Sequence, residues 1–151
     1  MRVFPLGVGP AFARRFFNTN LIVELDDSDF LLVDCGITAS RSLDTIGMSV
    51  LDVNTLFVSH LRADHIGGIE ELAPKAKLVR DAKVALYVQE QLVDALCSFN
   101  NAQRVHETIR TCWRIATCST SCTSFITRIT LTGTGQRCCQ LRSVSVGDLW
   151  I

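Results

Sequence analysis

Short apolar runs recur through the first ninety-odd residues, and each is too short for a stable helix of its own. Arg2–Leu6, Leu21–Leu25, Phe30–Asp34, Leu56–Ser59 and Val84–Val88 all read as strands. The turn-forming Asp26-Asp27-Ser28-Asp29 lies between the second and third, so these two form a hairpin. Between the later runs come helix signals. Ser40 is placed to cap a helix over Arg41–Ile46 that Gly47 stops. A second helix is expected over Gly67–Leu72, ending before Pro74, and a third over Gln89–Leu96. Strands alternating with short helices define an α/β layered domain.

The chain has 151 residues, one ordinary domain in size, and 48% of them are hydrophobic, enough for a core. Charged residues make up 20% and the formal net charge is zero, which excludes disorder driven by charge and any whole-chain attraction to nucleic acid or membranes. Met1–Phe17 is interrupted by Pro5, Gly7, Gly9 and Pro10 and does not read as a signal peptide. No run approaches the roughly 18 apolar residues of a membrane span, so the expectation is a cytoplasmic protein without membrane contact.

The composition changes after Cys97. Residues 1–97 hold thirteen acidic and nine basic residues, a balance of −4. Residues 98–151 hold six arginines and two acids, Glu107 and Asp148, a balance of +4, and fifteen of these 54 residues are Ser or Thr. Of seven cysteines, only Cys35 precedes Cys97. Two segments are therefore expected: 1–97, and 98–151 as an atypical Arg/Ser/Thr/Cys-rich tail. The tail reads either as short strands or as a non-native continuation of the kind a shifted reading frame produces. Cys112, Cys118, Cys122 and Cys138-Cys139 lack C-x-x-C spacing, so free or wrongly paired thiols are expected there rather than a zinc knuckle.

The chemistry concentrates in Phe57–Gly68, FVSHLRADHIGG. As a strand entering a helix, it would use Asp64 as an N-cap. That reading leaves two histidines in six residues unexplained, as well as Gly67-Gly68, each glycine costing a helix about 1 kcal/mol relative to alanine. Extended backbone alternates its side chains, so positions 60, 62 and 64 point one way, with residue 65 coming round at the helix start. Imidazoles and a carboxylate aimed at one focus suit zinc, manganese or iron. The glycines would let helix-start amides approach a metal or an anionic substrate.

Ser59-His60-Leu61-Arg62-Ala63-Asp64-His65-Ile66-Gly67-Gly68 resembles the metallo-β-lactamase-fold signature (S/T)-H-x-H-x-D-H-x-G-G. Pro5-Leu6-Gly7, Asn18-Thr19-Asn20, Leu31-Leu32-Val33-Asp34-Cys35-Gly36 and Ile69-Glu70-Glu71-Leu72 extend the resemblance to the ribonuclease Z-like branch. It implies an αββα sandwich, present here as its N-terminal half, with one or two ions, Zn2+ or else Mn2+ or Fe, at one edge of the sheets. It implies that His60 binds the first metal, that Asp64 and His65 bind the second, and that Asp64 orients the attacking water. Asp34 would support the site from beneath or serve as a strand-end turn residue. The implied function is hydrolysis of a small-molecule or nucleic-acid phosphodiester; the alternative is a catalytically silent binding or assembly domain.

Two departures stand out. Arg62 occupies the place of the second histidine. A guanidinium has no lone pair to donate, and about 4 Å from a divalent ion, at an effective dielectric of about 20, it is repelled by roughly 8 kcal/mol. Arg62 is therefore expected to swing away or to pair with Asp64, disabling the first metal position. The family's downstream ligands also have no clear counterpart: His106 reads as a surface helix residue, and Asp148 only faintly echoes a distal aspartate.

Overall fold

The computed structural model describes residues 2–26, 29–99 and 113–118. One mixed sheet is built from β1 (Arg2–Gly7), β2 (Asn20–Asp26), β3 (Asp29–Val33), β4 (Thr55–Val58), β5 (Val84–Gln89) and β6 (Trp113–Cys118), in that spatial order. The first three strands are antiparallel neighbours. From β3 onward each neighbour is parallel. The helices are α1 (Ala39–Thr45), α2 (Ala63–Ile66), α3 (Ile69–Arg80) and α4 (Val93–Phe99). Among the described residues no helix is long and apolar enough to cross a membrane.

The period of two along the strands sorts the core. Leu32, Leu56 and Leu86 share one register row and one face. They pack with Ala39, Leu43, Leu72, Ala73 and Ala76 of the helices in the larger cluster. Val33, Phe57 and Tyr87 share the next row and belong to a second cluster with Val23 and Leu31 on the opposite face. Strands covered on both faces read as continuous apolar runs, which is why Leu31–Val33 and Leu56–Val58 show no polar alternation.

The strand and hairpin expectations match the structure within a residue or two. The helix expected over Gln89–Leu96 begins later: Gln89 still belongs to β5, Glu90–Leu92 is a 3-10 turn and α4 starts at Val93. The other helices differ in two places. The first concerns α3, which does not stop before Pro74 but carries it inside and runs on to Arg80. Proline at this position removes the amide that would bond the Glu70 carbonyl, a cost of about 3 kcal/mol in an isolated helix. Burial of Leu72, Ala73 and Ala76 opposes that cost. Glu70 and Glu71 at the start of α3, and Lys77 and Arg80 at its end, complement the helix dipole.

Ser40 is the second difference, since it does not cap α1. The N-cap is Thr38, without a side-chain cap bond, because its hydroxyl is committed to Asn18. The Ser40 hydroxyl donates instead to Glu71 Oε1 at 2.9 Å, tying α1 to α3. Gly47 does stop α1, at φ +74°.

Trp113–Cys118 lies in the compositionally distinct tail, yet pairs with β5 over six positions, from Val84↔Trp113 to Gln89↔Cys118. His106, Asp148, Cys112, Cys122, Cys138 and Cys139 lie outside the described residues.

Candidate metal centre

Parallel pairing of β3 with β4 places both carboxyl ends at one edge of the sheet. Such an edge is where ligands bind in parallel α/β sheets. Asp34 leaves β3 and Ser59-His60 leave β4 side by side there. The Asp34 amide donates to Phe57 O at 2.8 Å, extending the ladder by one bond. The backbone of Asp34 then turns into the left-handed region, φ 61°, a conformation aspartate tolerates better than most residues.

That turn aims a buried carboxylate across the edge. Asp34 Oδ1 accepts from the Ser59 amide at 2.8 Å, and the Ser59 hydroxyl lies 2.7 Å from Oδ2. Oδ2 also meets His65 Nδ1 at 2.7 Å. A carboxylate only accepts, so His65 must hold a proton on Nδ1, and in the neutral ring Nε2 keeps its lone pair. Ser59 Oγ lies 2.8 Å from His60 Nδ1. The hydroxyl has one proton, which the carboxylate attracts more strongly than an imidazole does. The hydroxyl oxygen thus accepts from His60 Nδ1–H and leaves Nε2 of His60 open as well.

The two rings stand 4.0 Å apart, centroid to centroid, inclined by 48°. Asp34, His60 and His65 offer ligand atoms that all lie within 4.8 Å of one another. Within that cluster, Asp34 is already engaged by Ser59 and His65, which places it to orient the imidazoles. Asp64, buried in the first turn of α2, completes the group. Its Oδ2 is 3.4 Å from His65 Nε2, and its Oδ1 is 3.4 Å from Arg62 Nε. Of the sequence-predicted residues, His60 and His65 face each other and Asp64 adjoins His65. Asp64 is not an N-cap, because Arg62 holds that position. Arg62 pairs with Asp64, one of the two outcomes expected for it.

The glycines act differently from the expectation. A Cβ on Gly68 would lie 2.5 Å from Gly36 O, and one on Gly67 2.5 Å from the Ile37 side chain. They allow the α2–α3 junction to press against the loop after β3, where the Gly68 amide donates to Cys35 O at 2.8 Å. Sequence reasoning also missed how that loop is held. Asn20, buried, accepts from the Gly36 amide and donates to Asn18 O, both at 2.9 Å. Asn18 Oδ1 accepts from the amide and hydroxyl of Thr38. The Asn18-Thr19-Asn20 triplet was the available signal.

Cys35 is buried under Gly68, and burial, reinforced by the Glu71 and Asp34 carboxylates, pushes its thiol up to about 12. The native state therefore keeps this proton over a range where the unfolded chain, near 9.0, has released it. The contribution to stability is complete below pH 9 and is lost as pH rises toward 12. Two results are expected. Iodoacetamide at pH 8 leaves the Cys35 peptide unmodified in the native protein, as read by mass spectrometry. Replacing Cys35 with alanine makes the loss of thermal stability above pH 9 shallower; an unchanged slope contradicts the assignment.

The sheet order, the helices on one face and the site at the strand ends define a metallo-β-lactamase-fold α/β protein. Human tRNase Z, short form, superimposes with a TM-score of 0.55 at 20% identity, covering 68% of this chain and 39% of that one. The metallo-β-lactamase-fold protein YhfI from Bacillus subtilis gives 0.55 at 20% identity, covering 64% and 41%. Within that fold the match is narrower: the family model for Anti-Pycsar protein Apyc1 covers residues 1–135, and the chain belongs to that family. The Anti-Pycsar protein Apyc1 of Paenibacillus sp. (strain J14) is 44% identical over 96 residues, 64% of this chain and 39% of the relative. The chain thus spans about two fifths of the length of the curated relatives it matches.

Proposed function

We propose that this protein contributes the metal-binding half of a metal-dependent phosphodiester hydrolase, with a cyclic nucleotide as the substrate class, in keeping with its family's name, which sets it against Pycsar. The observation that carries this reading is the 3.4 Å between His65 Nε2 and Asp64 Oδ2. Two ligands of one tetrahedral ion with bonds of about 2.0–2.1 Å stand about 3.3 Å apart, so the pair fits a zinc ion without rearrangement. Manganese and iron share this taste for imidazole and carboxylate.

An ion held there supplies Lewis acidity, drawing a water's pKa toward neutrality and polarising a phosphoryl oxygen. The protein's own residues do the rest. Asp34 and Ser59 fix the tautomers that leave both Nε2 atoms as donors of electron pairs. Asp64 holds an acceptor oxygen beside the ion, in position to orient the attacking water. In this reading residues 1–97 form the metal-binding half, and the tail adds β6 to the sheet.

Zinc-dependent turnover of bis-p-nitrophenyl phosphate and of a 3′,5′-cyclic nucleotide, abolished in His65→Ala, is the expected result. A second reading, a catalytically silent domain, draws on the Arg62–Asp64 pair, which neutralises the carboxylate without any ion. A chain that stays folded in chelator and shows no turnover when loaded with zinc favours that reading and overturns the first.

A further inference from the structure

Arg62 puts a fixed cation where the family signature has an imidazole, and its position is informative. Nε faces Asp64 Oδ1 at 3.4 Å, while the side chain as a whole is 65% exposed against 9% for Asp64. The inner edge of the guanidinium is thus docked on a buried carboxylate, and the outer part reaches solvent. Among the described residues Asp64 is its only ion-pair partner. Of the five N–H donors in the fork, the four on Nη1 and Nη2 remain for another acceptor.

Charge limits what else this site can hold. Asp34 and Asp64 together bring −2 when ionised, and Arg62 reduces that to −1. One divalent ion beside His65 and Asp64 Oδ2 brings the group to +1. A second ion at the position the signature gives to His60 and residue 62 would find a guanidinium in place of an imidazole, and would meet the repulsion between guanidinium and dication. A guanidinium fork matches phosphate oxygens in a way a point charge does not.

We propose that Arg62 makes this a one-cation site and takes over from the second ion the task of gripping a phosphate oxygen of the substrate. The inference rests on the hydrolase reading above. It assigns Asp64 Oδ2 to the ion and to the water beside it, and Oδ1 to the arginine that faces the substrate.

Zinc stoichiometry tests the first part. Equilibrium dialysis is expected to give one zinc per chain for the unmodified protein, one for Arg62→Gln and two for Arg62→His. Two ions in the unmodified protein, or no gain in Arg62→His, overturn the inference and leave the hydrolase reading standing. No zinc in any of the three overturns both. Calorimetry of inorganic phosphate binding to the zinc-loaded chain tests the second part. Losing hydrogen bonds to a charged partner weakens binding by about tenfold or more, so Arg62→Gln is expected to bind phosphate at least that much less tightly. Arg62→Lys should fall between the two. Equal affinities in Arg62→Gln and the unmodified protein rule out the phosphate grip.

Discussion

Gly36→Ala is expected to destabilise the protein by about 3 kcal/mol, the upper end of what overpacking does. An added Cβ would lie 2.2 Å from the Asp64 carbonyl oxygen and 2.8 Å from Asn18 Cβ. Neither neighbour can yield. The Asp64 carbonyl is backbone at the start of α2, which is pinned by the 2.6 Å bond from the Cys35 amide to His65 O. Asn18 is clamped by three hydrogen bonds with Thr38. The Gly36 amide is itself held by Asn20, so the loop cannot slide away. Gly47→Ala is the fitting control. Nothing lies within 4 Å of a Cβ there, and only the positive φ is strained, a cost of about 1–2 kcal/mol. Urea unfolding of both variants measures the contrast, and a Gly36→Ala midpoint no lower than that of Gly47→Ala would show that the loop is not locked.

Asp34→Asn is expected to lose about 10- to 100-fold in zinc affinity while keeping most of the stability, the range typical when a group that orients a metal-binding histidine is altered. The amide oxygen can still accept from the Ser59 amide, as Oδ1 does at 2.8 Å. The amide nitrogen, however, would face His65 Nδ1, and two donors cannot share a proton. His65 must then carry its proton on Nε2, which removes the lone pair a metal needs. Competition against a chromophoric chelator gives the affinity, and imidazole nitrogen shifts give the tautomer. Unchanged zinc binding with an unchanged tautomer would remove Asp34 from the account of this site.

Much of this arrangement could be read from residue order. The hairpin around Asp26–Asp29 was legible because β-branched and aliphatic runs flank a cluster of turn formers. The motif from Ser59 to Gly68 was legible because few other uses place those residue types at that spacing. Pro74 misled, since a local rule about proline says nothing of how much apolar surface Leu72, Ala73 and Ala76 bury on the sheet. Ser40 misled for a similar reason: capping is one use of a hydroxyl, and Glu71, 31 residues away, offers another. The Asn18–Asn20–Thr38 network was invisible as chemistry because its partners meet only once β2 and the loop after β3 lie together. Arg62 was half legible. Its charge excluded it as a ligand, but only the folded chain decides between a side chain turned away and one docked on Asp64.

The parallel seam between β3 and β4 has a consequence for synthesis. Strands β1 to β3 are sequence neighbours joined antiparallel, so they can assemble as soon as they leave the ribosome. The carboxylate at the end of β3 meets its serine 25 residues later and its histidine 31 residues later. A nascent chain with only the early strands exposed therefore lacks the Asp34–His60–His65 cluster, which comes together only after the segment through α2 has emerged and crossed back over the sheet.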